Sequence, residues 1–168
     1  MYKVILVDDE PAILNSLRSV IPWEEYGFDT IKCVSNAEEA LYYLQCHPVD
    51  LLITDIKMPQ MNGIILMHRV SKRYKNIRYI VLTAYDEFEY ARVALQLGAE
   101  NYLLKPINVK ELEFSVRKAL DNLNSRRIAE QTLNSNYCVF KDNLLSRWLD
   151  GSIEESELRE RAGIMSIN

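Results

Sequence analysis

Cysteine is scarce in this sequence. The three cysteines, Cys33, Cys46 and Cys138, lie far apart, and no two of them form a Cys-X-X-Cys pair. Such spacing provides neither a zinc-binding motif nor a disulfide framework. We therefore expect reduced, partly buried thiols that pack as small hydrophobic groups in a cytoplasmic protein.

Long hydrophobic runs are also missing. No apolar stretch approaches the roughly 18 residues that a membrane helix needs, and the chain leads from Met1 directly into a predicted strand. We expect neither a membrane-spanning segment nor a signal peptide. The 20 Lys and Arg residues are outnumbered by 24 Asp and Glu, which gives a net charge of −4. This balance does not support a nucleic-acid-binding surface within these residues.

The chain does contain regular secondary-structure patterns. Helical patterns alternate with five short runs rich in β-branched residues, at 3–7, 29–34, 50–54, 78–83 and 101–104. Three helices have starts with capping-box spacing, at 35–38, 86–89 and 108–111. Strands that alternate with helices predict an α/β fold, in which a parallel sheet is covered on both faces.

Acidic residues end two of the predicted strands. Asp8 and Asp9 follow the first strand, and Asp55 follows the apolar run of the third. The carboxyl ends of neighbouring parallel strands meet at one edge of the sheet. Carboxylates that are brought together there repel one another unless a cation joins them, and oxygen ligands suit Mg²⁺. The sequence therefore predicts a magnesium site at this edge.

Two further side chains are expected at the same edge. Thr83 ends the fourth strand, and Lys105-Pro106 follows the fifth. A phosphoryl group on Asp55 would meet positive charge from the metal and from Lys105, and a hydrogen bond from Thr83. Phosphoryl transfer depends mainly on positioning and charge neutralisation, so these groups are sufficient for it.

The chain resembles the receiver domain of two-component response regulators over residues 1–123. The resemblance is carried by Asp8-Asp9, Asp55, Thr83 and Lys105-Pro106, which follow in this order on alternating strands. The resemblance implies a flavodoxin-like, doubly wound, five-stranded parallel sheet of order 2-1-3-4-5. The residue pattern beyond it predicts a C-terminal helical extension. The resemblance further implies that a sensor histidine kinase phosphorylates Asp55. It also implies a Mg²⁺ site formed by the carboxylates of Asp8, Asp9 and Asp55 and the backbone carbonyl of Lys57.

The resemblance also assigns a conformational switch. Lys105 would contact the phosphoryl group through its side chain and would precede a cis peptide bond to Pro106. Thr83 and Tyr102 would change position together when the phosphoryl group arrives. The protein would then catalyse only its own phosphorylation and dephosphorylation and would not otherwise be an enzyme. We further hypothesise that Lys57 and Tyr85 flank the phosphoryl group and slow its hydrolysis.

Two other classes of protein fit less well. A phosphatase of the haloacid-dehalogenase type needs a second acid two residues after its nucleophile, and Lys57 occupies that position. A flavin-binding module needs a loop after the first strand that holds phosphate, whereas Asp8-Asp9-Glu10 would repel one.

The remaining residues, 124–168, are expected to form a helical linker and the start of a connector or output module. Their pattern predicts a second helix from about Tyr137 to Leu149 and a third over 152–162. Residues 21–28 and 148–151 resemble segments of response regulators with an AraC-type output. That resemblance implies control of transcription, with DNA bound only by a C-terminal domain outside this chain. The alternative is a stand-alone receiver that acts through protein–protein contacts. We also expect phosphorylation to shift a pre-existing two-state equilibrium and to favour a homodimer.

Overall fold

A computed structural model describes residues 1–83 and 88–149, together with Glu154. Five strands alternate with five helices along the described chain. The strands are β1 (Tyr2–Val7), β2 (Phe28–Val34), β3 (Leu51–Asp55), β4 (Arg78–Thr83) and β5 (Asn101–Leu104). The helices are α1 (Pro11–Val20), α2 (Ala37–Cys46), α3 (Gly63–Arg73), α4 (Phe88–Gln96) and α5 (Val109–Leu149). The helix start predicted at Asp86 and, apart from Glu154, the helix predicted over 152–162 fall outside the described residues.

The strands form one parallel sheet in the order β2-β1-β3-β4-β5, which confirms the predicted topology. Each strand starts at the same edge of the sheet and ends at the other. Thr54 lies opposite Val7, Asp55 lies opposite Leu82, and Thr83 lies opposite Leu104. The carboxyl ends of the four neighbouring strands β1, β3, β4 and β5 are therefore level with one another.

Strand β3 is buried on both faces because helices cover both sides of the sheet. Leu52 packs in a core with residues of α2, α3 and α4, whereas Leu51 and Ile53 pack in a second core with α1 and α5. Successive side chains of a strand point to opposite faces. Burial of each such side chain contributes about 1.5–3 kcal/mol to stability. Packing in both cores therefore fixes the position of β3, and with it the position of Asp55 at the end of this strand.

Asparagine side chains cap the starts of three helices, α2, α3 and α5. The Asn36 side chain accepts a hydrogen bond from the Glu39 amide at 2.8 Å, and the Glu39 carboxylate accepts from the Ser35 amide at 3.4 Å. The expected capping box at 35–38 is therefore shifted by one residue, because Asn36 is the cap. Asn62 caps α3 in the same manner, and Asn108 accepts from the Lys110 amide at the start of α5.

Helix α5 is longer than the sequence pattern predicts. It runs without interruption from Val109 to Leu149, so the prediction of a separate helix beginning near Tyr137 is wrong. The segment contains neither glycine nor proline. Arg126 does not end the helix but forms a 2.8 Å ion pair with Glu130, one turn later. Such pairs support a helix at an exposed position.

By its internal contacts the chain divides into two compact units, Met1–Leu123 and Asn124–Asn168. In the first unit, Leu112, Val116 and Ala119 of α5 are buried against the sheet. In the second, Ile128 and Leu133 are 63% and 69% exposed. No helix in the described part of the chain combines the length and the apolar character needed to cross a membrane.

Candidate metal and phosphoryl site

The structure brings Asp8, Asp9 and Asp55 together at the carboxyl edge of the sheet. One carboxylate oxygen of each lies within 4.8 Å of the others. Asp8 is fully buried and Asp55 is 4% exposed, whereas Asp9 is exposed to solvent. This cluster follows from the fold, because β1 and β3 are neighbours and both end at this edge.

Lys105 lies beside two of these carboxylates. Its Nζ is 2.7 Å from Oδ2 of Asp55 and 2.9 Å from Oδ2 of Asp8. A third acid, Glu10, places Oε1 at 3.3 Å from the same ammonium group. The contact of Glu10 with Lys105 is not evident from the sequence. The one available signal was its position directly after Asp8 and Asp9.

The turn after β1 fixes the orientation of Asp8. The Glu10 amide donates a hydrogen bond to Oδ1 of Asp8 at 2.9 Å. Pro11 then begins α1, at a helix position where the missing amide proton of proline costs nothing. Asp8 therefore faces the edge of the sheet, while the chain turns away into α1.

Burial and neighbouring charges shift two of the site's pKa values. Burial raises the pKa of the Asp8 carboxyl, and the Glu10 amide and Lys105 only partly oppose this effect. Burial by itself would lower the pKa of Lys105, but hydrogen bonds to Asp55 and Asp8 and the charges of both carboxylates outweigh it and raise that pKa. Lys105 is therefore held as a cation.

The donor set of this cluster fits a divalent cation. Two carboxylates at such a separation repel by about 3 kcal/mol at an effective dielectric constant near 20. One ammonium group cannot balance three carboxylates, so the site keeps an excess of negative charge. Carboxylate oxygens in a partly open site are the ligands that Mg²⁺ prefers, since it retains several waters.

The loop after β3 approaches Asp55 very closely. The Gly63 amide donates to the Ile56 carbonyl at 2.9 Å, and the Ile56 amide donates to the Leu82 carbonyl at 3.0 Å. A Cβ atom at Gly63 would collide with the backbone carbonyl oxygen of Asp55. Only glycine therefore allows α3 to begin at this point. The presence of a glycine in the sequence does not by itself reveal this contact with the Asp55 backbone.

Thr83 and Lys105 lie on adjoining parts of the same edge. Thr83 is buried at the end of β4, and its carbonyl accepts a hydrogen bond from the Lys105 amide at 2.9 Å. The peptide bond from Lys105 to Pro106 is cis, as the resemblance implied.

The other predicted site residues are more dispersed. Tyr102 is partly buried in β5 opposite Val81 and packs against the core that contains α2, α3 and α4. The Lys57 side chain is exposed in the loop after Asp55. Tyr85 lies outside the described residues.

Comparison with known proteins agrees with this arrangement. The family model of the response regulator receiver domain matches residues 4–117. The chain is 41% identical over 113 residues to the transcriptional regulatory protein HptR of Staphylococcus aureus, a match that covers 67% of this chain and 44% of HptR. It is 37% identical over 123 residues to the uncharacterized transcriptional regulatory protein YesN of Bacillus subtilis, covering 73% of this chain and 33% of YesN.

Solved structures have the same fold. The REC domain of AraT, a response regulator from Geobacillus stearothermophilus, superposes with a TM-score of 0.71 at 36% identity, covering 75% of this chain and 98% of that one. A two component transcriptional regulator AraC from Clostridium phytofermentans also gives a TM-score of 0.71, at 28% identity, covering 76% of this chain and 98% of the other. The chain spans less than half the length of the two relatives, HptR and YesN.

Proposed function

Because this chain belongs to the response regulator receiver domain family, we propose that Asp55 accepts a phosphoryl group from a sensor histidine kinase. A carboxylate oxygen of Asp55 forms the new bond to phosphorus, and the bond between phosphorus and the kinase's histidine nitrogen breaks. The product is an acyl phosphate. The observation that carries this proposal is the position of the Asp55 carboxylate, which lies within 4.8 Å of two other carboxylates and 2.7 Å from Lys105.

Asp8, Asp9 and Asp55 would hold Mg²⁺, with the backbone carbonyl of Lys57 as the further ligand that the family resemblance implies. The bound ion would neutralise negative charge on the phosphoryl group. The ammonium group of Lys105 supplies a second positive charge near the phosphoryl group. Its ion pairs with Asp55 and Asp8 hold the ammonium group beside Asp55, where the negative charge of the phosphoryl group would lie.

We further propose that Thr83 and Tyr102 carry the switch. The Thr83 carbonyl at the end of β4 accepts a hydrogen bond from the Lys105 amide. Tyr102 lies opposite Val81 in the neighbouring strand β5. A shift of Thr83 or Lys105 would therefore act on the strand pair that contains Tyr102. Tyr102 lines a groove of about 460 Å³ with Leu104 and Phe114, on the surface formed by β5 and α5. Phosphorylation would shift a pre-existing equilibrium between two conformations of this surface and favour a homodimer.

The proposed output is control of transcription. The relatives HptR and YesN are named as transcriptional regulatory proteins, and more than half of each lies outside the match. We propose that residues 1–123 are the receiver domain and that 124–168 form a helical linker and the start of a connector. DNA would be bound, in the cytoplasm, by a domain that follows this chain. The exposed side chains of Ile128 and Leu133 suit a helix that packs against such a partner.

Peptide mass mapping tests the phosphoacceptor. The protein is treated with a small acyl phosphate and Mg²⁺, and the modified residue is located. We expect one phosphoryl group on Asp55, and none in Asp55→Asn, which keeps the shape of the side chain but removes the nucleophile. Asp29→Asn is the matched control, because Asp29 is an exposed carboxylate at the start of β2. Unchanged labelling of Asp55→Asn would refute the assignment.

The hypothesis that Lys57 slows hydrolysis has its own test. The exposed Lys57 side chain lies in the loop two residues after Asp55, and the hypothesis is that it hinders the approach of water to the phosphoryl group. We expect the acyl phosphate of Lys57→Ala to hydrolyse faster than that of the wild type, and equal lifetimes would remove the idea. Tyr85→Ala would test the second half of the same hypothesis.

A further inference from the structure

A groove lies at the edge of the sheet remote from Asp55. Strands β3 and β4 begin at this edge, and the groove is lined by residues at the ends of α2 and α3 and by those that lead into the two strands. It has a volume of about 570 Å³, which falls in the range of about 300–1,000 Å³ of many ligand-binding pockets. The proposed phosphoryl chemistry uses none of its residues.

The floor of the groove is apolar and its rim is basic. Leu44, Val49 and Ile77 are buried along the floor, whereas Arg73 and Lys75 are exposed at the rim. We call this site the basic groove. A site of this type can bind a ligand that has both an apolar group and negative charge.

The positive charge extends beyond the rim along α3. Arg69, Lys72 and Arg73 are exposed, and their spacing places them on adjacent turns of one helix. The ion pairs among the described residues include none of the three. The sequence between Asp55 and Asp86 contains no acid at all, although the whole chain has a net charge of −4.

The dipole of α3 does not account for so much positive charge. The carboxyl end of a helix carries a negative charge of about one half, which one nearby cation balances. Three exposed cations in the second half of α3 exceed this requirement, so the surface beside the groove remains positive. These cations are close enough to act together, since the Debye length is about 8 Å at physiological ionic strength.

The groove is already formed in this conformation. The Tyr74 hydroxyl donates a hydrogen bond to the Leu44 carbonyl at 2.9 Å, which joins the end of α3 to the end of α2. The Arg73 guanidinium lies 5.7 Å from the centre of the Tyr74 ring. Asp50, an acid in the lining, already accepts a hydrogen bond from the Lys3 amide at 2.7 Å. A ligand therefore meets a preformed groove, in whose lining the cations Arg73 and Lys75 outnumber the one acid, Asp50.

We propose that the basic groove docks an acidic peptide segment of a partner protein, with an apolar side chain of that segment on the groove floor. Carboxylates of the segment would pair with the exposed cations of α3, which are Arg69, Lys72 and Arg73. A nucleic acid would offer phosphates, but no aliphatic side chain for the floor formed by Leu44, Val49 and Ile77. The charge of the rim and the apolar floor together favour a peptide. This docking surface is additional to the proposed phosphoryl site and does not depend on it.

Fluorescence anisotropy tests the proposal with a labelled peptide that repeats Glu-Glu-Leu. We expect it to bind the full chain, and we expect Lys72→Glu/Arg73→Glu to weaken binding about tenfold. The control is Arg18→Glu/Arg127→Glu, which changes the net charge equally through exposed cations elsewhere on the chain. This control should bind like the wild type. Replacing each leucine of the peptide by serine should also weaken binding.

Amide chemical-shift mapping locates the bound peptide. We expect changes at Gln45, His47 and Asn76, which line the groove. Equal weakening by the two double variants would reveal non-specific charge attraction and overturn the proposal. So would shifts confined to other surfaces, or tighter binding of a DNA duplex or an anionic vesicle than of the peptide.

Discussion

The Lys105 ammonium lies 2.7 Å from Oδ2 of Asp55, although 50 residues separate them in the chain. The same ammonium is 2.9 Å from the fully buried Asp8. One cation thus contacts carboxylates from two different strands. The successive pairing of β1 with β3, β3 with β4 and β4 with β5 brings these residues together, so the sheet topology itself creates the site.

Loss of the Lys105 charge should destabilise the metal-free protein. In Lys105→Gln, Asp8, Asp9 and Asp55 would repel one another without the nearby cation. We expect the free energy of unfolding to fall by about 2 kcal/mol in the absence of divalent ions. Because Lys105 competes with the metal for these carboxylates, Mg²⁺ should stabilise the variant more than the wild type.

Urea unfolding with and without Mg²⁺ measures both effects. Lys72→Gln is the control, since Lys72 is an exposed lysine on α3, away from the site. We expect its stability and its response to Mg²⁺ to match those of the wild type. An equal response of Lys105→Gln and the wild type to Mg²⁺ would contradict a shared carboxylate site.

Gly63→Ala should damage both the fold and the site. The new Cβ would collide with the Asp55 backbone carbonyl, which cannot move aside as a flexible side chain can. We expect a loss of about 1–3 kcal/mol in unfolding free energy and slower phosphorylation of Asp55. The measurements are urea unfolding and the rate of labelling by an acyl phosphate.

Gly98→Ala separates this collision from ordinary backbone strain. Gly98 has φ of 92°, but a Cβ atom there would meet nothing within 4 Å. It should cost about 1 kcal/mol of stability and leave the labelling rate unchanged. If both alanine variants label at the wild-type rate, Gly63 does not position Asp55.

Tyr79 should make stability depend on pH in the alkaline range. Burial raises its pKa to about 12 from an ordinary value of 10.0, and its hydroxyl is buried without a hydrogen-bond partner among the described residues. Below pH 10 the hydroxyl is neutral in both the folded and the unfolded chain. Between pH 10 and 12 the unfolded chain ionises first, so stability is lost as pH rises.

Urea unfolding of Tyr79→Phe across this range isolates the effect. At neutral pH the variant should equal the wild type or exceed its stability by about 1 kcal/mol, because no buried hydroxyl is left unpaired. Above pH 10 its advantage should grow. A constant difference between the two proteins from pH 8 to 11 would show that the Tyr79 ionisation is not coupled to folding.

Exposed aromatic side chains provide a test of the proposed dimer. Phe114 of α5 is 65% exposed beside the groove that contains Tyr102. We expect light scattering to give twice the monomer mass when beryllium fluoride and Mg²⁺ mimic the phosphoryl group, and Phe114→Ser to remain a monomer. Tyr42→Ser is the matched control, because Tyr42 is 72% exposed on α2. An identical mass with and without the mimic counts against phosphorylation-dependent dimerisation.

The sequence predicted the sheet and the residues at its carboxyl edge well. Asp55 and Lys105 could be placed because each follows a recognisable strand, and parallel strands end at a common edge. The continuity of α5 was missed because Arg126-Arg127 interrupts the helical spacing of apolar residues that runs from Leu112 to Leu123. In the structure, helix propensity and the ion pair with Glu130 maintain the helix through that position.

Other features could not be predicted from the sequence and were recognised only in the three-dimensional structure. The approach of Gly63 to Asp55 depends on the angle at which the chain enters α3, and glycine alone does not reveal it. The basic groove combines α2, α3 and the starts of two strands. Arg73 and Leu44 are far apart in sequence, and no periodic pattern links them. Tertiary packing therefore creates this site from segments that look unremarkable one at a time.

The most direct test of the central claim is the rate at which intact protein gains one phosphoryl group from a small acyl phosphate, measured by mass spectrometry with Mg²⁺ and with a chelator. The carboxylates of Asp8, Asp9 and Asp55 are the proposed metal ligands. We predict modification of Asp55 that is rapid with Mg²⁺, almost absent with the chelator, and lost in Asp55→Asn. Labelling at the same rate without a divalent ion, or at a residue other than Asp55, would contradict the account.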